Sequence, residues 1–309
     1  MGFGEVRVIP VNGRGPEDVL VDGEGRIYTG VADGRILRIS QDGARIDTIA
    51  DTEGRPLGLE FFGDEGLLVC DAYRGLLVVE PAKGRVRVLA DEVLGRRMLL
   101  CNNAAVGADG TIYFTDSSSR FPLSRWRDDL IEQTRTGRLL RRASDGSFDL
   151  LADGLAFANG VALAPDESFV AVAESGAYQV RRIGLTEHTG DLLIGGLPGF
   201  PDNISTGSDG LIWVSQASPR VRALALIHRL PAIARAMVRA LPRWAQPGPG
   251  RQVGVLGVGT DGKVVHELSG VIGGFRMLTG VRERGGTVCF GSVRGNSIAV
   301  TELPPIPRG

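Results

Sequence analysis

Turn signals followed by short strands of alternating apolar residues return along the whole chain. Asp22-Gly23 and Gly25 lead into Arg26-Ile27-Tyr28-Thr29, Asp33-Gly34 leads into Arg35-Ile36-Leu37-Arg38-Ile39, and Asp42-Gly43 follows. Asp-Gly between alternating apolar residues is a strong hairpin signal. The same order of turn, strand, turn, strand starts again at Gly63, Ala108, Pro165, Ser208 and Arg284. Where nothing is inserted the period is roughly 40 to 50 residues, the size of a propeller blade. Six such units without crossover helices predict an all-β, six-bladed β-propeller as one domain over residues 1–309, and disfavour a parallel α/β sheet. The 45 glycines, about double ordinary usage, fit a chain of many tight turns. Val6-Arg7-Val8-Ile9-Pro10 is predicted to complete the last blade and close the ring.

Two segments interrupt the repeat. Residues 120–136 read as a loop with a short helix around Trp126–Glu132. Residues 221–243, within an insertion that runs to residue 250, carry Leu224, Ile227, Leu230, Ile233, Met237 and Leu241 with arginines between them. That spacing predicts an amphipathic helical segment broken at Pro231. Both are expected to cover the propeller as lids; the arginine-rich one also permits contact with a membrane surface or a partner.

Composition narrows the function classes. A net charge of −1 excludes the basic footprint of a nucleic-acid-binding protein. Cys70, Cys101 and Cys289 sit in or beside apolar runs and read as buried free thiols, with neither a zinc pattern nor a disulfide framework. No basic-then-apolar leader is visible at Met1–Val6 and no apolar run reaches the length of a membrane span, so a cytoplasmic location is the expectation.

Four oxygen-bearing side chains stand at similar offsets before four of the turns: Glu17, Asn102, Asn159 and Asp202. In a propeller the inner strands converge on a channel, so residues at their entrances meet. Two carboxylates and two amides make an all-oxygen set suited to a hard divalent cation such as Ca²⁺, and unlike a thiol or imidazole site. The neighbouring amides Asn203 and Asn103 are additional ligands or orienters, Asn103 the weaker. His188, His228 and His266 lie beside turns or in the insertion and are not expected to be catalytic.

The strings Asp71-Ala72-Tyr73-Arg74-Gly75-Leu76, Phe114-Thr115-Asp116-Ser117-Ser118-Ser119-Arg120-Phe121, Phe157-Ala158-Asn159-Gly160 and Leu197-Pro198-Gly199-Phe200-Pro201-Asp202-Asn203-Ile204-Ser205 resemble the strictosidine synthase-like group. The resemblance covers roughly residues 13 to 300. The group sits among six-bladed propellers of the gluconolactonase and paraoxonase type. Hydrolytic members of that superfamily hold a divalent cation, usually Ca²⁺, in the channel, and Glu17, Asn102, Asn159 and Asp202 fall where those members keep their ligands. The resemblance therefore implies a cation-dependent hydrolase of lactones or activated esters, with Glu17, Asp202 or Glu283 as the catalytic carboxylate. Paraoxonase-type members place a catalytic His where this chain has Leu57, and many members have Asp where Asn103 stands. Glu283 matches the catalytic Glu in the last blade of the plant synthases. That match implies an alternative, amine–aldehyde condensation without metal. A second alternative is a non-enzymatic binding propeller.

Overall fold

The computed structural model describes residues 2–303 apart from Glu65 and His188. Among them are six four-stranded antiparallel sheets arranged as a six-bladed β-propeller. The first strand of each sheet, in chain order Leu20–Val21, Pro56–Phe62, Cys101–Val106, Ala158–Leu163, Gly199–Thr206 and Leu278–Arg284, packs against its counterparts in neighbouring blades and forms the channel wall. The Asp-Gly turns are made as their chemistry demands. Asp109 Oδ1 accepts the Thr111 N–H at 2.8 Å, and Gly110 takes φ +81°, which an L side chain rarely adopts. Asp209 and Gly210 repeat the arrangement between the first two strands of the fifth blade.

The ring closes as expected. Val6–Pro10 pairs antiparallel with Ser297–Glu302, as the outermost strand of the sixth sheet. Twist and alternation bury both faces of each sheet, so the core is divided into wedges between adjacent blades. Leu68, Cys70 and Leu76 of the second blade, for example, pack on Cys101, Ile112 and Phe114 of the third. Trp213, Val253 and Val255 of the fifth meet Val281, Val288 and Phe290 of the sixth. Each large side chain buried this way contributes about 1.5–3 kcal/mol. The three cysteines are free and buried, and burial pushes the Cys289 thiol up to about 12.

The insertions fold as short helices over one end of the channel. They are α1 (Trp126–Glu132), α2 (Arg222–Ile227) and α3 (Ala232–Ala240), with the break between α2 and α3 at Pro231. Glu132 ties the lid together, pairing with Arg120 at 3.0 Å and with Arg239 of α3 at 2.7 Å. Leu130, Ile131 and Leu224 bury against Leu57, Leu100, Phe157 and Phe200 at the blade tops. No helix among the described residues is long and apolar enough to cross a membrane.

Candidate functional site

Five of the six inner strands begin with the same irregularity. The register with the second strand slips between Pro56 and Leu59, Cys101 and Ala104, Ala158 and Val161, Pro201 and Ile204, and Leu278 and Val281. The slip leaves two residues out of the ladder in every case. The first of each pair is Leu57, Asn102, Asn159, Asp202 or Thr279. In the first blade Glu17, whose N–H bonds the Gly30 carbonyl, stands just before the strand. All six line one cavity that opens under the lid. The common offset in sequence thus reflects one repeated backbone feature. It brings together four of the five predicted site residues.

The second residue of each pair alternates around the ring: Asp18, Gly58, Asn103, Gly160, Asn203, Gly280. A Cβ on Gly58 would stand 2.6 Å from the Asn103 Cα, one on Gly160 2.2 Å from the Ile204 nitrogen, and one on Gly280 2.7 Å from the Asp18 Cα. Glycine is required there because the next blade's backbone occupies the space. The side chains between the glycines reach across blades. Asp18 Oδ2 accepts the Leu59 N–H at 3.1 Å, and Asn103 Oδ1 accepts the Val161 N–H at 2.9 Å. Asn103 also donates to Asp18 at 3.3 Å, so both its amide atoms are engaged and it orients the ring.

The amides that face the cavity are held by their nitrogens. Asn102 Nδ2 donates to Ser117 Oγ at 2.8 Å and Asn159 Nδ2 to Ser175 Oγ at 3.1 Å, and Ser175 in turn donates to the Pro201 carbonyl at 2.5 Å. Asn203 Nδ2 donates to both oxygens of Glu17. The Oδ1 atoms of Asn102, Asn159 and Asn203 are buried and accept no hydrogen bond among the described residues. Buried carbonyl oxygens without a donor are costly and call for an explanation.

The carboxylates show the same deficit. Burial pushes Glu17 well above the ordinary carboxylate range, and the charges of Asp202 and Asp18 add to the rise; Arg55 and the Asn203 amide oppose it. Burial raises Asp202 to about 7, with the Asn159 amide opposing and the Asp18 charge adding. Burial likewise raises Asp18 to about 6, against the pull of Arg282. Negative charge and unpaired oxygen are concentrated at one point, and the guanidinium that opposes the rise at Glu17, that of Arg55, is itself committed to the Gly15 carbonyl at 2.9 Å.

Glu283 does not join this group. It lies four residues beyond Thr279 on the same strand and is not among the cavity residues. Its carboxylate accepts hydrogen bonds from Ser208 Oγ at 3.0 Å and the Gly286 N–H at 2.7 Å, so it ties together the turns of the fifth and sixth blades. The expectation that it supplies a catalytic carboxylate beside Glu17 and Asp202 is corrected on that ground. His228 Nε2 lies 2.7 Å from the Leu130 carbonyl in the lid, and His266 stacks on Trp213 in the fifth blade; His188 lies outside the described residues.

Above the floor the cavity is apolar. Leu57, Leu100, Leu123, Trp126, Phe157 and Phe200 are among its walls, and it encloses about 920 Å³ including the part open to solvent. The buried serines Ser117 and Ser175 were not foreseen from sequence. The signal for them is their place after the acids Asp116 and Glu174, which hold the neighbouring loop through the Leu100 and Ala156 N–H groups.

A model described as strictosidine synthase matches residues 102–188, and one for the strictosidine synthase-like N-terminal region matches residues 4–39. The chain is 33% identical to the strictosidine synthase-like protein 10 of Arabidopsis thaliana, over 97% of this chain and 89% of that one. It is 37% identical to the adipocyte plasma membrane-associated protein of Rattus norvegicus, over 67% of this chain, and spans 60% of that protein's length. Among solved structures it is similar to a gluconolactonase from Xanthomonas campestris, with a TM-score of 0.69, 18% identity and coverage of 98% and 91%. It is also similar to the calcium-binding protein regucalcin from Agrobacterium tumefaciens, with a TM-score of 0.64, 14% identity and coverage of 97% and 99%. At these identities the solved structures speak for the fold alone, whereas the Arabidopsis relative matches along almost the full length. The chain belongs to the strictosidine synthase-like family.

Proposed function

We propose that the protein is a divalent-cation-dependent hydrolase of lactones or activated esters, acting at the floor of the lidded cavity. The observation that carries this reading is the set of unpaired Oδ1 atoms on Asn102, Asn159 and Asn203 beside the buried carboxyls of Glu17 and Asp202. A hard cation fits such a donor set: oxygen ligands only, two of them able to carry charge, all fixed from behind. No group of three or more His, Cys, Asp or Glu side chains is placed to hold a metal among the described residues, so the amides are essential to the proposal.

Glu17, Asp202, Asn102 and Asn159 would hold the ion, most simply Ca²⁺. When bound, it supplies Lewis-acid polarisation of a substrate carbonyl. Asp202, a carboxylate that lines the cavity floor, is placed to take the proton of an attacking water. Glu17 is fixed through both oxygens by Asn203. Ser117 and Ser175 keep the amide oxygens turned to the cavity, and the apolar walls exclude bulk water, which strengthens each of these interactions.

The gluconolactonase and regucalcin structures support this reading by fold, and the donor set supports it by chemistry. Condensation through Glu283 is disfavoured because that carboxylate lies away from the cavity. The test is a panel of lactones and aryl esters with and without chelator. Hydrolysis that chelator abolishes and Asp202→Ala removes is expected. A cation-dependent rise in melting temperature with no ester turned over would instead identify a binding propeller.

A further inference from the structure

Several lid arginines have anionic or carbonyl partners. Arg120 and Arg239 pair with Glu132, Arg125 pairs with Asp128 at 2.6 Å, and Arg243 donates to the Ser124 carbonyl. Arg127 on α1 has none among the described residues and, unlike the exposed Arg222 and Arg229, it is buried. It is only 9% exposed and lines the cavity, yet among the described residues its guanidinium makes no hydrogen bond or ion pair. Its guanidinium carbon stands 5.4 Å from the ring centre of its neighbour Trp126. The charges that act on it are those of Arg294 and Arg243, of the same sign. The Arg127 Nε is buried without a hydrogen-bond partner among the described residues, which is costly.

We propose that Arg127 is an anion-recognition residue of the cavity, and that the ligand has an apolar body and an anionic oxygen head group, a carboxylate or a phosphate. The inference rests on the cavity being the substrate site, as proposed above, and adds the substrate's class. The walls between lid and floor are leucine, isoleucine and aromatic side chains, which suit a hydrocarbon chain or ring. Arg127 belongs to α1, while Glu17, Asn102, Asn159 and Asp202 belong to the blade entrances. The anionic end is therefore held by the lid, and the reactive end meets the floor. A guanidinium is the side chain suited to this task, since its planar fork can take two oxygens at once.

Calorimetric titration of octanoate, octyl phosphate and 1-octanol tests the proposal without requiring turnover. Wild type should bind one or both anions at least about ten-fold more tightly than the alcohol, as a desolvated charged hydrogen bond allows. Arg127→Met should lose that preference and keep the melting temperature, and Arg127→Lys should keep part of the preference. Equal binding of octanoate, octyl phosphate and octanol by wild type, or an anion preference that survives in Arg127→Met, would overturn it. An anion preference in a protein that hydrolyses no ester would leave this subsite standing and remove the hydrolase reading.

A separate observation concerns the outer face of the lid. Leu226, Ile233, Met237 and Trp244 are 63%, 79%, 69% and 87% exposed, and Ile233 and Met237 lie one turn apart on α3. Residues 210–260 contain seven arginines and no Asp or Glu. Arg222, Arg229 and Arg251 are exposed, with side chains free of ion pairs among the described residues. We infer that this face docks on an anionic lipid surface, where apolar side chains enter the interface and arginines meet the head groups. Co-sedimentation with phosphatidylcholine vesicles, with and without phosphatidylglycerol, tests it. Binding is expected only with the anionic lipid, falling with salt and lost in the Ile233→Asp, Trp244→Asp double variant. Failure to sediment with either vesicle, or sedimentation that this variant retains, would overturn it.

Discussion

Asn203 donates its amide to both carboxylate oxygens of Glu17, at 3.2 and 3.1 Å, across 186 residues of chain. In the equivalent place Asn103 caps the next blade's Val161 N–H. Asn203 has exchanged that structural bond for a hold on the floor carboxylate, and its own oxygen is left without a donor. Glu17→Gln and Asp202→Asn keep shape and remove charge. Each should abolish the cation-induced rise in melting temperature and lower kcat/KM for a lactone by more than roughly 100-fold, the upper end for outer-shell partners. A variant that keeps both would exclude that carboxylate from the site.

The raised carboxyls give a pH dependence of definite sign. From about pH 4 to about pH 7, the folded cation-free protein holds protons that the unfolded chain has already released. Its stability should therefore fall as pH rises through that window. Melting in chelator at about pH 5 and about pH 8 should show the lower value at the higher pH, with added Ca²⁺ restoring more there. A chelated protein equally stable at both would contradict the assignment.

Ser175 connects two site residues, accepting from Asn159 and donating to the carbonyl just before Asp202. Ser175→Ala should weaken cation affinity by roughly 10-fold, measured by competition with a chelating dye, while the fold persists. Unchanged affinity would mean that Asn159 needs no support.

Glu283→Ala separates fold from chemistry. Losing the bonds to Ser208 and the Gly286 N–H should cost about 1–3 kcal/mol in urea unfolding and leave kcat/KM within about two-fold. A collapse of activity at full stability would return Glu283 to the chemistry.

Gly160→Ala probes the contact between blades. Its Cβ would meet the Ile204 nitrogen and the Asn203 Cα, which are backbone and cannot rotate away. Destabilisation of about 1–3 kcal/mol or more is expected, together with weaker cation binding as Asn203 shifts. A neutral effect on denaturation would show that the ring relaxes freely.

The blades were legible in sequence because Asp-Gly turns and period-two alternation are local signals. The entrance residues were legible through their offset, which the repeated register slip explains. Leu57 and Thr279 hold the same position in their blades, but neither side chain announces a shared site. Glu283 was drawn toward the site by a resemblance in the last blade; it stands four residues beyond Thr279 on the same strand, and only the end at Thr279 reaches the cavity. Arg127 was hidden for another reason. Among charged neighbours in a loop, one arginine looks solvated, and only packing shows that its partners went to the others.

The sixth sheet takes its outer strand from Val6–Pro10 and its other three from Leu278–Glu302. That blade cannot be assembled until Ser297–Glu302 has been made. Until then the first strand waits with an open edge, and the earlier blades form an unfinished arc. Ring closure is thus governed by the meeting of two segments that lie far apart in the chain, Val6–Pro10 and Ser297–Glu302.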